Sequence, residues 1–273
     1  MEVCAAAVAG RGLVDPHEPV FAADDEALLR GRSVFETARG YGGRPFLLDE
    51  HLARFARSSE SVRLPPPDAA ECKRLAELVV GACDETELAL RLYWTGRTLV
   101  ATAGPIGPEI EALRARGLRL AAAPWSTGAL ASAKSTSYAE NIFAQQEAAD
   151  AGAGDALLVA SDDTILEAPT SNVWFRERDR LFTPSLDLPV LAGVTRATLL
   201  EVAPELGYEV EEGAYPLARL LESDEAFLTS SVREVVPVVV VDGRAVGGGS
   251  PGAAAAALQL GLRAAAGYSA PDE

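Results

Sequence analysis

Lysine and histidine are almost absent from this chain: two of each occur in 273 residues, Lys73, Lys134, His17 and His51. Two histidines leave little with which to build a multi-histidine metal site or a histidine-based hydrolase, and no metal site is expected. Cysteine is equally sparse. Cys4, Cys72 and Cys83 make no disulfide or zinc pattern and read as buried or reduced thiols, as in a cytoplasmic protein. There is no amino-terminal basic-plus-apolar leader and no run of 18 apolar residues, so neither export nor a membrane partner is indicated. Positive charge is also scarce. Lysine and arginine number 24 against 40 carboxylates, a net charge of −16, which argues against a general surface for nucleic acid or anionic lipid. Any anionic ligand must be gripped by local arginines.

What is present is enough for a large core. With 48% hydrophobic residues, a chain of this length forms one large or two medium domains. EVCAAAVAG reads as a short apolar strand, SVFETARGY and RPFLL as a pair joined at Gly42-Gly43, and ELALRLYW as another strand. A helix is expected from Asp49 to about Arg63, with Leu52, Phe55, Ala56 and Val62 on one face and Pro65-Pro66-Pro67 beyond its end. Arg54 projects from the opposite side. AAAPWSTGAL has no clear period and reads as a connection, so the expected division is a small domain over 1–120, a linker over 121–130 and a large domain over 131–273. A helix follows over about 138–150, opened by Ser137 with Glu140 three residues on, a capping-box pattern. DALLVA, TILEA, NVWFRE, RLFTP, AFLTSS and VVPVVVV read as strands. Helices are expected over Arg196 to Leu206, ending at Gly207, and over the alanine-rich Pro251 to Ala266. The mixture predicts two α+β domains and not regular βαβ winding.

One of the two lysines stands where its chemistry is usable. Lys134 lies in ALASAKSTSYAEN, just before the helix, in a chain that otherwise uses arginine. A lysine can form a Schiff base and an arginine cannot. Glu167 ends a strand in LEAPTSNVWF. Thr195 and its neighbours in LAGVTRATLLEV open a helix, where free N–H groups and the dipole attract phosphate. Ser230 and Ser231 in FLTSSVREV add donors. Lysine, carboxylate and phosphate cradle are what a pyridoxal phosphate site needs.

With RGRSVFETARGYGGRPFLLDEHLARF, AKSTSYAENIFAQQEA, LEAPTSNVWF, LAGVTR and FLTSSVREVVPV in this order, the chain resembles the class IV, or fold type IV, pyridoxal-phosphate aminotransferases from about Leu29 to Val241. That group contains D-amino acid transaminases, aminodeoxychorismate lyases and branched-chain aminotransferases. The resemblance implies a small α+β domain with a larger barrel-like one, working as a homodimer with sites at the subunit and domain junction. It implies that Lys134 is the Schiff-base lysine and that Glu167 pairs with the pyridine nitrogen. Arg54 would hold the phosphate with Val194, Thr195 and Ser231, and Ser230 stands beside them as a further donor. Leu191 would lie against the cofactor ring, and Tyr138 would hydrogen-bond its phenolic oxygen.

Two departures bear on substrate. Many relatives carry Gly-Asp-Gly before the aromatic-Glu pair, where this chain has Gly31-Arg32-Ser33 ahead of Phe35-Glu36. The Arg-x-His pair of typical D-amino acid transaminases is missing from RLYWTGRTLVAT. Arg32 and Arg91 are the expected substitute for that trap, gripping a substrate carboxylate bidentately. The resulting expectation is transamination of small D-amino acids, with (R)-amines also accepted and a keto acid such as 2-oxoglutarate or pyruvate as acceptor. An aminodeoxychorismate lyase and an L-branched-chain aminotransferase remain as alternatives.

Overall fold

Period-2 strands and amphipathic helices build two separate sheets in the computed structural model, which describes residues 2–126 and 128–268. Residue 1, Thr127 of the expected linker and residues 269–273 of the expected large domain lie outside the described residues. The chain divides into two units, one running to Gly107 and taking in Ser132–Tyr138, the other comprising Pro108–Ala131 and the residues from Ala139 onward.

The first unit contains β1 (Ala5–Val8), β2 (Gly12–Val14), α1 (Glu26–Arg30), β3 (Val34–Tyr41), β4 (Arg44–Pro45), α2 (Leu48–Ser61), α3 (Ala69–Gly81), β5 (Glu87–Trp94) and β6 (Leu99–Pro105). Its sheet runs β2-β1-β6-β5-β3-β4. The turn between β3 and β4 needs left-handed backbone at both central positions, and Gly42 and Gly43 supply it with φ of 54° and 72°. Leu88, Leu90 and Leu92 of β5 alternate onto the helix side, where they pack with Phe55 of α2 and with Leu75 and Val79 of α3. Helix α3 was not anticipated from the sequence. Its signal is there nonetheless: Asp68, directly after the three prolines, accepts from the N–H groups of Ala70 and Glu71 and caps it.

The second unit contains α4 (Glu109–Arg116), β7 (Leu118–Pro124), α5 (Ala139–Asp150), β8 (Asp155–Val159), β9 (Glu167–Ala168), β10 (Ser171–Glu177), β11 (Arg180–Pro184), α6 (Val194–Glu205), β12 (Glu209–Gly213), α7 (Leu217–Leu221), β13 (Glu225–Ser230), β14 (Glu234–Val241), β15 (Arg244–Ala245) and α8 (Ala253–Ala265). Its nine-stranded sheet follows β12-β11-β10-β13-β14-β7-β8, with β15 on β14 and β9 on β10. β14 is an inner strand buried along nearly its whole length, hence a valine run broken only by Pro237.

Two expectations need correction. The residues read as a linker begin inside β7, which pairs in parallel with β8 and β14; the division falls after Gly107, and 132–138 return to the first unit. Ser137, read as the opening of the next helix, donates its hydroxyl to Gly31 O at 3.0 Å, and α5 begins at Ala139. Cys4 and Cys83 are joined in a disulfide, 79 residues apart with Cα atoms 5.8 Å from one another, since α3 lies along β1. Cys72 stays a free buried thiol, and burial pushes its pKa up to about 12. No helix among the described residues is long and apolar enough to cross a membrane.

Candidate active site

In the first unit, β3 and α2 bring a carboxylate and a guanidinium together inside the protein. Arg54, on the side of α2 away from the apolar stripe, is only 5% exposed and not solvated. Its Nε and Nη2 donate to Oε1 and Oε2 of Glu36, both at 2.7 Å. His51 Nδ1 lies 2.8 Å from the same Oε2. Burial alone would raise the Glu36 pKa, but Arg54 and His51 outweigh it and hold the carboxyl at about 2. Burial is also the main reason the His51 pKa is lowered, and the charges of Arg54 and Lys134 push the same way. The guanidinium plane is thus fixed by Glu36, which sets the directions from which Arg54 can meet an anion.

Both shifts are downward, so each group contributes stability that is complete above its unfolded pKa and is lost as pH falls through its folded one. Stability should therefore begin to fall below the ordinary histidine value of 6.5, and fall further below 4.5 toward about 2 as Glu36 is protonated. Urea midpoints measured between pH 7 and 3 check this. In Glu36→Gln the lower of the two windows should disappear, and an unchanged acid profile would show that other carboxylates dominate.

Lys134 is held by its backbone. Its N–H donates to Ser58 Oγ at 3.1 Å, its carbonyl accepts from Phe35 N–H at 3.0 Å, and Ser135 forms an antiparallel bridge with Val34. The ammonium stands 4.4 Å from the centre of the Phe35 ring, a cation–π contact. Tyr138 meets the same ring edge-on at 5.4 Å, and Tyr93 stacks on it at 6.4 Å. Since Leu90 and Leu92 face the helices, Arg91 and Tyr93 project from the other side of the sheet, the side that carries Phe35. Arg91 lies in register with Thr37 on β3 and Thr102 on β6, and its Nε is buried with no hydrogen-bond partner among the described residues.

Arg32 is placed differently from the expectation. Its Nε donates to Val62 O at 3.2 Å, Nη2 to Arg63 O at 2.5 Å and Nη1 to Glu26 at 2.6 Å. All three nitrogens are taken up in tying α1 to the end of α2, so it is a local clamp and not a preformed carboxylate fork.

The second unit gathers the remaining residues. β9 and β10 are joined by a tight turn that sets Glu167 opposite Asn172. Asn172 Nδ2 donates to Glu167 Oε2 at 3.1 Å and to Leu191 O at 2.9 Å, and Leu191 N–H donates to the same Oε2 at 3.1 Å. The carboxylate is thereby oriented, and Leu191 is fixed beside it. Sequence reading missed Asn172; the signal was its placement five residues after Glu167 across Pro169-Thr170. Just beyond Leu191, Gly193 caps α6 without any side-chain hydrogen bond, and no acidic residue stands in the first turn. A Cβ on Gly193 would fall 2.0 Å from Asn172 Oδ1, so only glycine lets this helix end approach. The amino-terminal N–H groups of α6, at the buried Val194 and Thr195, have no intrahelical acceptors. Ser230 and Ser231 stand at the end of β13 and in the turn after it; Ser230 Oγ accepts from Arg233 N–H at 3.3 Å.

Within the second unit, an oriented carboxylate and an uncapped helix start suit the ring nitrogen and the dianion of a phosphorylated pyridine, and the first unit carries a lysine amine of the kind that forms imines. These features define a pyridoxal-phosphate enzyme. The chain belongs to the amino-transferase class IV family, whose model matches residues 33–241, and pyridoxal 5'-phosphate is its cofactor. It is 33% identical over 262 residues to the bifunctional aminodeoxychorismate lyase / D-amino acid transaminase of Mycobacterium tuberculosis (strain ATCC 25618 / H37Rv), covering 85% of this chain and 89% of that protein. It is 31% identical to the D-alanine aminotransferase of Bacillus licheniformis, covering 88% and 89%. Its fold matches that of a hypothetical aminotransferase from Mycobacterium tuberculosis in its PLP-bound form, with a TM-score of 0.88, 29% identity and coverage of 96% and 98%. The expected two-domain α+β fold type IV architecture is therefore correct.

Proposed function

We propose that this class IV aminotransferase moves the amino group of small D-amino acids, and of some (R)-amines, to a keto acid such as 2-oxoglutarate or pyruvate. When bound, pyridoxal phosphate supplies an electron sink for the charge left at the substrate α-carbon. Lys134 Nζ takes the α-proton and returns it. Glu167 keeps a proton on the ring nitrogen. Arg54, the α6 N–H groups at Val194 and Thr195, and the hydroxyls of Thr195, Ser230 and Ser231 hold the phosphate. Leu191 lies against the ring, and Tyr138 hydrogen-bonds the phenolic oxygen.

The observation that carries the substrate reading is Arg91. A buried guanidinium nitrogen without a partner, on the sheet face where Phe35 carries the Lys134 ammonium, suits a carboxylate-bearing substrate. Arg32, committed to Val62, Arg63 and Glu26, leaves that role to Arg91. The names of the Mycobacterium tuberculosis and Bacillus licheniformis relatives support D-amino acids as the substrate class.

Arg91→Ala should slow the half-reactions with D-alanine and with 2-oxoglutarate by roughly tenfold to a hundredfold, the worth of a lost charge-assisted hydrogen bond. It should leave (R)-1-phenylethylamine, which has no carboxylate, almost unchanged. Equal losses for acid and amine would mean general disruption, and no loss with either would remove Arg91 from the substrate site. The same spectral assay with L-leucine tests handedness. The lyase reading is favoured by the dual name of the Mycobacterium tuberculosis relative; release of pyruvate from aminodeoxychorismate with no keto acid added would establish it.

We also propose a homodimer, which is supported by large apolar side chains left exposed on α5, Ile142 at 57% and Phe143 at 67%. A cytoplasmic location follows the same reading, with the Cys4–Cys83 bond weighing against it.

A further inference from the structure

The hairpin between β13 and β14 has a feature that its local geometry does not call for. Ser230 pairs with Glu234 across a three-residue loop, Ser231-Val232-Arg233. Glu234, the first residue after that loop, has φ of 56°, left-handed backbone that favours glycine. An L side chain there is unfavourable. This one is also a carboxylate with no solvent exposure, and a buried ion pair is commonly no more stable than apolar packing of the same volume. Neither backbone preference nor stability accounts for a glutamate here.

Its contacts do. Oε2 accepts from Arg114 Nη2 and Arg263 Nη2, both at 2.8 Å, and from Gln259 Nε2 at 3.3 Å, while Oε1 accepts from Arg263 Nε at 2.9 Å. Arg114 then reaches along the turn, donating to Arg233 O at 3.0 Å and Val235 O at 3.1 Å. Arg233 is fixed from the other side by the buried Asp155 of β8, at 2.7 Å. Residues 233, 234 and 235 are thus pinned in succession from α4, α8 and β8, and the residues left between these pins and β13 are Ser231 and Val232.

We propose that Glu234 is a positioning residue for the cofactor phosphate: bridged by Arg114 and Arg263, it locks the turn that presents Ser231 and touches no ligand itself. This rests on the reading of Ser231 as a phosphate donor. The left-handed Glu234 is over-determined by its two arginines, so the turn has one conformation and Ser231 one direction.

The test titrates the apoprotein with pyridoxal phosphate and with pyridoxal, which lacks the phosphate, and compares the two dissociation constants. Glu234→Gln keeps the shape and weakens the bridge. It should loosen pyridoxal phosphate by about tenfold, the worth of one well-directed hydrogen bond, and leave pyridoxal unchanged. Ser231→Ala should do the same, and the double variant should add nothing to it. Arg263→Lys, which keeps the charge and loses the fork, gives a second variant with a smaller effect in the same direction should Glu234→Gln fail to fold. Discrimination intact in Ser231→Ala would overturn the donor reading, and the proposal with it. Discrimination lost in Ser231→Ala but intact in Glu234→Gln and Arg263→Lys, or equal weakening of both ligands, would overturn the proposal alone and leave Glu234 a residue of stability only.

Discussion

Lys134→Ala is expected to abolish turnover while the fold survives. The separation of these two effects follows from how the residue is held. Both polar backbone contacts of Lys134, to Ser58 Oγ and from Phe35 N–H, are made by main-chain atoms that alanine keeps. What is lost is the amine above Phe35, and with it the imine-forming group and the base that we propose. The proton-transfer role alone is worth roughly 10² to 10⁴ in rate, and loss of the covalent attachment adds to that, so no turnover above background should be seen. Thermal midpoints should move little. The other lysine, Lys73, is half exposed and paired with Asp49 at 2.5 Å on the outside of α2 and α3. Borohydride reduction followed by peptide mass spectrometry should find the cofactor on Lys134. An adduct on Lys73 would overturn the assignment.

Glu167→Gln should slow the half-reaction by roughly 10²- to 10³-fold, the scale of losing one preorganised electrostatic partner in an active site. The amide side chain retains an oxygen to accept from Asn172 Nδ2 and Leu191 N–H, so the β9–β10 turn and the start of α6 stay in place. The negative charge that we propose to hold a proton on the ring nitrogen is gone. Stopped-flow measurement with D-alanine, alongside a thermal midpoint close to that of the parent, separates the electronic role from a structural one. A half-reaction rate equal to the parent's would assign the ring nitrogen to another group.

Features that depend on the identity of a residue and its local neighbours were legible in the sequence. The rarity of lysine singled out Lys134, alternation marked most of the strands, and α2 and α8 showed a helical period or composition. Glycine at 42 and 43 announced the turn between β3 and β4. The family itself could be identified from five short strings in order, and the matched region, 33–241, agrees with where they lie.

Long-range packing decided the rest. Nothing local in the sequence joins Glu36 to Arg54 and His51, because that contact is made by a strand and a helix meeting inside the first unit. Helical position put Arg54 opposite the apolar stripe and left Arg32 available, whereas packing buries the first and commits the second to backbone carbonyls of another segment. The Cys4–Cys83 bond, the return of 132–138 to the first unit and the membership of β7 in the second sheet each join segments far apart in sequence. Composition and periodicity report the preferences of a residue and its neighbours along the chain. Which buried charge finds which partner is set by the folded arrangement, since only there does desolvation make an unpaired group too costly to keep.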